Sequence, residues 1–149
     1  MQLFQDLFDQ SKQLNQAPSQ AQLAYHAQKG RYKIIHQGLM IPNLPAPLHY
    51  LNFLSVIGQP NVPMLRNESA IHSTALDTAT IIASVSPHMM GQLNSYSVEK
   101  ECQFKKEYFR FADREMLSGS FPHFRIQRED KELSFDLSIT TSNLISYFT

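Results

Sequence analysis

Between Ile34 and Val98 a run of 65 residues carries only three formal charges, Arg66, Glu68 and Asp77, whereas the 49 residues from Glu101 to Thr149 carry fifteen of the chain's 26. Globular surfaces are normally covered by Lys, Glu, Arg and Asp. So long an uncharged stretch therefore hides under other protein, lines a cavity, or solvates itself with Ser, Thr, Asn and Gln. The asymmetry constrains shape and partners more than chemistry.

The period of the apolar residues sets the secondary structure expected on either side of that asymmetry. From Arg31 it is that of a strand, with Tyr32, Ile34 and His36 on one face and Lys33, Ile35 and Gln37 on the other. Pro42, Pro45 and Pro47 then remove three amide donors, so this segment belongs at an end or edge of a sheet. Leu51 to Ile57 is a short apolar run closed by Gly58 and Pro60, which suits a buried strand or a turn of helix, with the strand slightly preferred. Thr78 to Ser86 is β-branched and nearly uncharged, and with a second extended run over 92–104 it predicts a hairpin. On that second run Tyr96, Val98, Cys102 and Phe104 share a face, and Phe109 and Phe111 continue it. The clearest pattern is Phe124 and Ile126, a polar turn over 128–131, then Leu133, Phe135, Leu137 and Ile139 alternating with Ser134, Asp136, Ser138 and Thr140. This is a hairpin with one wet face. The apolar residues Leu144, Ile145, Tyr147 and Phe148 follow without a charge to guard the edge.

Ahead of the strands, Leu3, Phe4, Leu7 and Phe8 lie at helical spacing, so residues 2–15 read as an amphipathic helix. Pro18 stops it, and Ser19 with Gln22 forms a capping box for a second short helix that Gly30 terminates. The expected organisation is a helical segment over 1–30 and a β-barrel-like domain over 31–149, one core in a chain of 149 residues. About eight extended runs suit a mainly β fold, either an antiparallel β-barrel or a curled β-sandwich.

Several function classes lose support. A formal net charge of zero removes the field that draws a protein onto nucleic acid. Phe104, Tyr108, Phe109, Phe111 and Phe124 do interleave with Lys105, Lys106, Arg110 and Arg125, but Glu101, Glu107 and Asp113 cancel their field, so no nucleic-acid partner is expected. The first residues carry no base before Lys12 and no continuous apolar stretch, so the chain is expected to be cytoplasmic with no membrane span. Gly30, Gly38, Gly58, Gly91 and Gly119 are isolated from one another, and no cofactor is expected. The six histidines show no ligand spacing, so no metal is expected. His72 and Ser73 near Asp77 lack the elbow of a serine hydrolase, and Cys102, alternating with Phe104, reads as core. Glu101, Glu107, Asp113, Glu115 and Asp136 fall in the charged third, where solvated faces are expected.

The stretch from Ile35 to His49, IHQGLMIPNLPAPLH, followed by Ser55-Val56-Ile57-Gly58, resembles the start of uncharacterised bacterial lipocalin-like proteins related to carotenoid 1,2-hydratase. That broader group is built from two successive barrel-like halves and handles apolar, polyene or lipid-like molecules. The resemblance implies a lipocalin-like barrel and makes this chain comparable to an N-terminal half, with a second half or a second copy as its partner.

Three functional expectations result. The first is a binding module holding an apolar small molecule, with Tyr32, His36, His49 and Tyr96 as candidate polar contacts. The second is a hydratase-like enzyme acting on a carbon–carbon double bond through a desolvated acid, for which Asp77 is the best-placed carboxylate. The third is a structural half that packs on a partner domain or subunit.

Overall fold

The computed structural model describes residues 25–61, 64, 66–85 and 92–140, together with Gln5. The helix expected over 2–15, the capping box at Ser19 and Gln22, and the apolar residues 144–148 lie outside these. Residues 25–28 are not helical. Lys29 and Tyr32 instead form an isolated antiparallel bridge around Gly30, whose φ of +56° suits its place in that turn.

Among the described residues nine strands form two antiparallel sheets. The first contains β1 (Ile35–Pro42), β2 (Tyr50–Ile57), β3 (Thr78–Val85) and β4 (Gln92–Ser97), in that order. The second contains β5 (Cys102–Lys105), β6 (Tyr108–Phe111), β7 (Glu115–Ser120), β8 (His123–Arg128) and β9 (Phe135–Thr140), also in chain order. The described residues are thus mainly β with very little helix. Among the described residues no ladder joins β4 to β5 or β9 to β1.

The single extended run expected over 92–104 is divided by a short helical turn, α1 (Val98–Glu101). The turn is fixed from outside. The Asp77 backbone carbonyl accepts from Val98 N at 2.8 Å, and the Asp77 carboxylate accepts from Glu99 N at 2.8 Å. Ser97 caps the turn by accepting from Lys100 N, while Glu101 reaches back to Ser97 N. With those amides committed, the ladder ends after Ser97 and a second sheet starts at Cys102.

Alternation decides what each sheet buries. On β2, Leu51, Phe53, Ser55 and Ile57 are buried, and on β3 Ala79, Ile81 and Ala83 join them. On the second sheet Phe109, Phe111, Leu117 and Ile126 are buried, with Phe135, Leu137 and Ile139 half-buried against the same core. The last three point inward, as their alternation with Asp136, Ser138 and Thr140 predicts. Phe53 of the first sheet meets Phe135 of the second edge-on, ring centres 6.1 Å apart, so both sheets contribute to one core. Met40 at 65% and Leu93 at 48% are among the large apolar side chains left exposed.

The proline segment behaves as an edge device. Pro42 ends β1, the outermost strand of its sheet, and Leu44 N bonds His49 O at 2.9 Å to turn the chain into β2.

Candidate functional site

Phe104, Phe109, Leu117, Phe124, Ile126 and Ile139 form an apolar wall on the inner face of the second sheet. Their strands bring them together because inward positions recur every second residue and the ladders align them: Phe104 lies opposite Phe109, Phe109 opposite Leu117, Leu117 opposite Ile126. Ile35, Gly38 and Leu39 of β1 form the opposing side, and residues 25–29 cross over as a third wall. The half-open cavity between them is about 1110 Å³. That lies just above the roughly 300–1,000 Å³ seen for small-molecule sites.

Tyr25 anchors the crossing segment, its ring 5.9 Å from Phe109 and 5.6 Å from Phe124. Burial pushes its hydroxyl up to about 12, so it stays a neutral phenol at any working pH. Gln37 ties the same segment to β1 by accepting from His26 N at 3.1 Å, and its Nε2 is buried without an acceptor. The mouth is polar. Lys29, Lys105, Lys106, His26 and His36 line it, and among the described residues no carboxylate does.

The four residues expected to contact a ligand divide evenly. Tyr32 and His36 both line the cavity, exposed at its mouth, with the Arg31 guanidinium 5.0 Å over the Tyr32 ring. His49 does not. It sits in the β1–β2 turn with φ +53°, and the six strand steps of β1 from His36 to Pro42 place the two histidines roughly 20 Å apart. Tyr96 is also elsewhere, buried between the sheets and donating to Glu115 Oε2 at 2.5 Å. Burial and the adjacent Glu115 raise its pKa well above the usual phenol range.

Asp77 does not line the cavity either. Its carboxylate accepts from Ser73 Oγ at 2.5 Å, Ser97 Oγ at 3.0 Å and Glu99 N at 2.8 Å. Burial opposes its ionisation, yet Ser73, the Glu99 amide, Ser97 and nearby His72 together hold it below the usual carboxylate range. Ser73 donates to Asp77 rather than to His72, whose Nδ1 lies 3.9 Å from Glu101, so the three residues do not form a nucleophile–base relay. Cys102 is half-buried, and burial, then Glu101, Asp77 and Glu115, push its thiol up to about 12. It is a poor nucleophile there.

The polar cluster that sequence reasoning missed is centred on Glu115. Glu115 and Arg128 face each other across β7 and β8, bonded at 2.5 Å with no side-chain exposure. Asn94 and Tyr96 donate to the Glu115 carboxylate, and Arg128 also donates to Gln92 Oε1 at 2.9 Å and to Leu133 O at 3.2 Å. Gln92, Asn94 and Tyr96 are alternate residues of β4, so the cluster joins the first sheet to the second. A signal existed: Glu115 precedes Leu117, and Arg128 follows Phe124 and Ile126, each at strand spacing on an inward face.

Of the aromatic residues that interleave with bases, Phe104, Phe109 and Phe111 point into the core and Phe124 lines the cavity, while Arg110 and Arg125 alternate away from them. Among the described residues no helix is long and apolar enough to cross a membrane. No curated protein and no solved structure matches the chain. A family model does match, over residues 54–149, and those residues include half of β2 and every later strand. The chain therefore belongs to the family of unknown function DUF6670.

Proposed function

We propose that the protein binds an apolar small molecule in the cavity between its sheets. The observation that carries this reading is the continuous wall of Phe104, Phe109, Leu117, Phe124, Ile126 and Ile139 around about 1110 Å³. Apolar walls with a few polar groups at one end are what such sites use, and transfer of an apolar ligand into them is favourable by roughly 25 cal/mol per Å² removed from water. On this reading the two sheets act as a curled, lipocalin-like sandwich, open between β1 and β9.

Hydration of a double bond has less support. It needs a desolvated carboxylic acid facing the substrate, whereas Asp77 is engaged by the α1 turn and Glu115 by Arg128, Tyr96 and Asn94.

The test is thermal unfolding with a panel of fatty acids, polyenes and sterols, beside displacement of a fluorescent apolar dye. A ligand at a hundred times its dissociation constant adds about 2.7 kcal/mol and raises the midpoint by several degrees. Ile139→Trp, which fills the cavity from the half-buried face of β9, abolishes the shift without unfolding the chain. No shift across the panel refutes the reading.

A further inference from the structure

The mouth of the cavity is charged on one side only. Lys29, Lys105 and Lys106 line it, with His26 and His36, and among the described residues no Asp or Glu lines any part of it. This is unexpected for a chain with 13 basic and 13 acidic residues. Elsewhere five arginines are paired with acids, Arg66 with Glu68, Arg110 with Asp113, Arg114 with Asp130, Arg125 with Asp136 and Arg128 with Glu115, whereas Lys33, Lys100 and Lys131 stand apart from one another on other surfaces. Among the described residues none of the three lysines has a carboxylate partner. Glu107, next along the chain from Lys106, is half-buried in the β5–β6 turn with its carbonyl accepting from Gly119 N, and it does not line the cavity.

Position supports the same conclusion. Lys105 follows Phe104 directly, so the base sits where β5 leaves the apolar wall, and Lys29 ends the segment that crosses over it. Arg31 adds a further cation beside Tyr32. Among the described residues Gln37 Nε2, in the same wall, has no acceptor.

We propose that the occupant is an anionic amphiphile, a long hydrocarbon tail in the Phe104–Ile139 interior and a carboxylate or phosphate head at Lys29, Lys105 and Lys106. This rests on the reading of the cavity as an apolar ligand site and adds the sign of the head group. Exposed ammonium groups each contribute modestly and are screened by salt, so the three act together and most strongly at low ionic strength.

The experiment compares ligands with one tail and different heads, namely palmitate, hexadecyl phosphate, hexadecanol and hexadecylamine, below their aggregation limits, by dye displacement. An anionic ligand binds about tenfold tighter than hexadecanol in low salt, and the margin shrinks with added KCl. The better of the two anions identifies the head as carboxylate or phosphate. Replacing the three lysines by glutamine (Lys29→Gln, Lys105→Gln, Lys106→Gln) removes the margin and leaves hexadecanol binding unchanged, while Lys131→Gln on the distant β8–β9 loop changes nothing. Equal binding of palmitate and hexadecanol, tightest binding of hexadecylamine, or a margin that survives the triple replacement overturns the anionic head while leaving the apolar site intact. Failure of all four ligands overturns both.

Discussion

Glu115 and Arg128 occupy directly opposed positions on β7 and β8, bonded at 2.5 Å, and neither side chain reaches solvent. Two charges removed from water are tolerated because every other polar atom near them is also used: Tyr96 and Asn94 on the carboxylate, Gln92 and the Leu133 carbonyl on the guanidinium.

Arg128→Met is accordingly expected to cost about 3–5 kcal/mol, because Glu115 would be left as an uncompensated buried charge. Glu115→Leu combined with Arg128→Met recovers only part of this, since the Tyr96 hydroxyl and Asn94 amide would still lack their acceptor. Urea unfolding measures both. A loss below about 1 kcal/mol for the single variant would show that the pair is hydrated in solution.

Asp77 makes stability sensitive to acid. Its folded-state pKa lies below the ordinary 3.8, so the stabilisation it gives is complete above the unfolded value and disappears as pH falls through the lower folded one. Asp136, held by Arg125, and Asp130, held first by the Glu132 amide, shift in the same direction. Stability should therefore decline below about pH 4, and Asp77→Asn should flatten part of that decline while costing about 1–3 kcal/mol at neutral pH. An unchanged acid limb in the variant would remove Asp77 from this role.

Cys102, with a thiol near 12, should resist alkylation. At pH 8 only roughly one thiol in ten thousand is ionised, so iodoacetamide labelling of the folded chain should be slower by about a thousandfold than in urea. Mass spectrometry distinguishes the two states, and rapid labelling without urea would contradict the burial of Cys102.

Gly119 has φ +91°, and a Cβ there would collide with the His123 carbonyl across the β7–β8 hairpin. Gly119→Ala combines backbone strain with that collision and should cost about 1–3 kcal/mol. Calorimetry would show the loss, and a midpoint within a degree of the parent would mean that the hairpin relaxes freely.

Much of the strand pattern was legible locally. Leu51 to Ile57, Thr78 to Val85 and the alternation from Phe135 to Ile139 each carry their own period, and Pro42 marks an edge strand because it has no amide to donate. The break at Ser97 was less visible, although Ser97 is a common helix-capping residue and Glu99 and Glu101 put acid into the first turn. The Asp77 groups that hold it lie twenty or more residues away.

The sequence by itself determined which residues share a face, because a strand's side chains alternate whatever surrounds it. Only the tertiary structure decided what each face meets. It placed Tyr32 and His36 at a cavity mouth and His49 at the far end of a hairpin. It also turned Glu115, which reads as a solvated charge in the acidic and basic third, into the fully buried partner of Arg128. Those outcomes depend on register and on how two sheets oppose one another, interactions between segments far apart in the chain that no local period encodes.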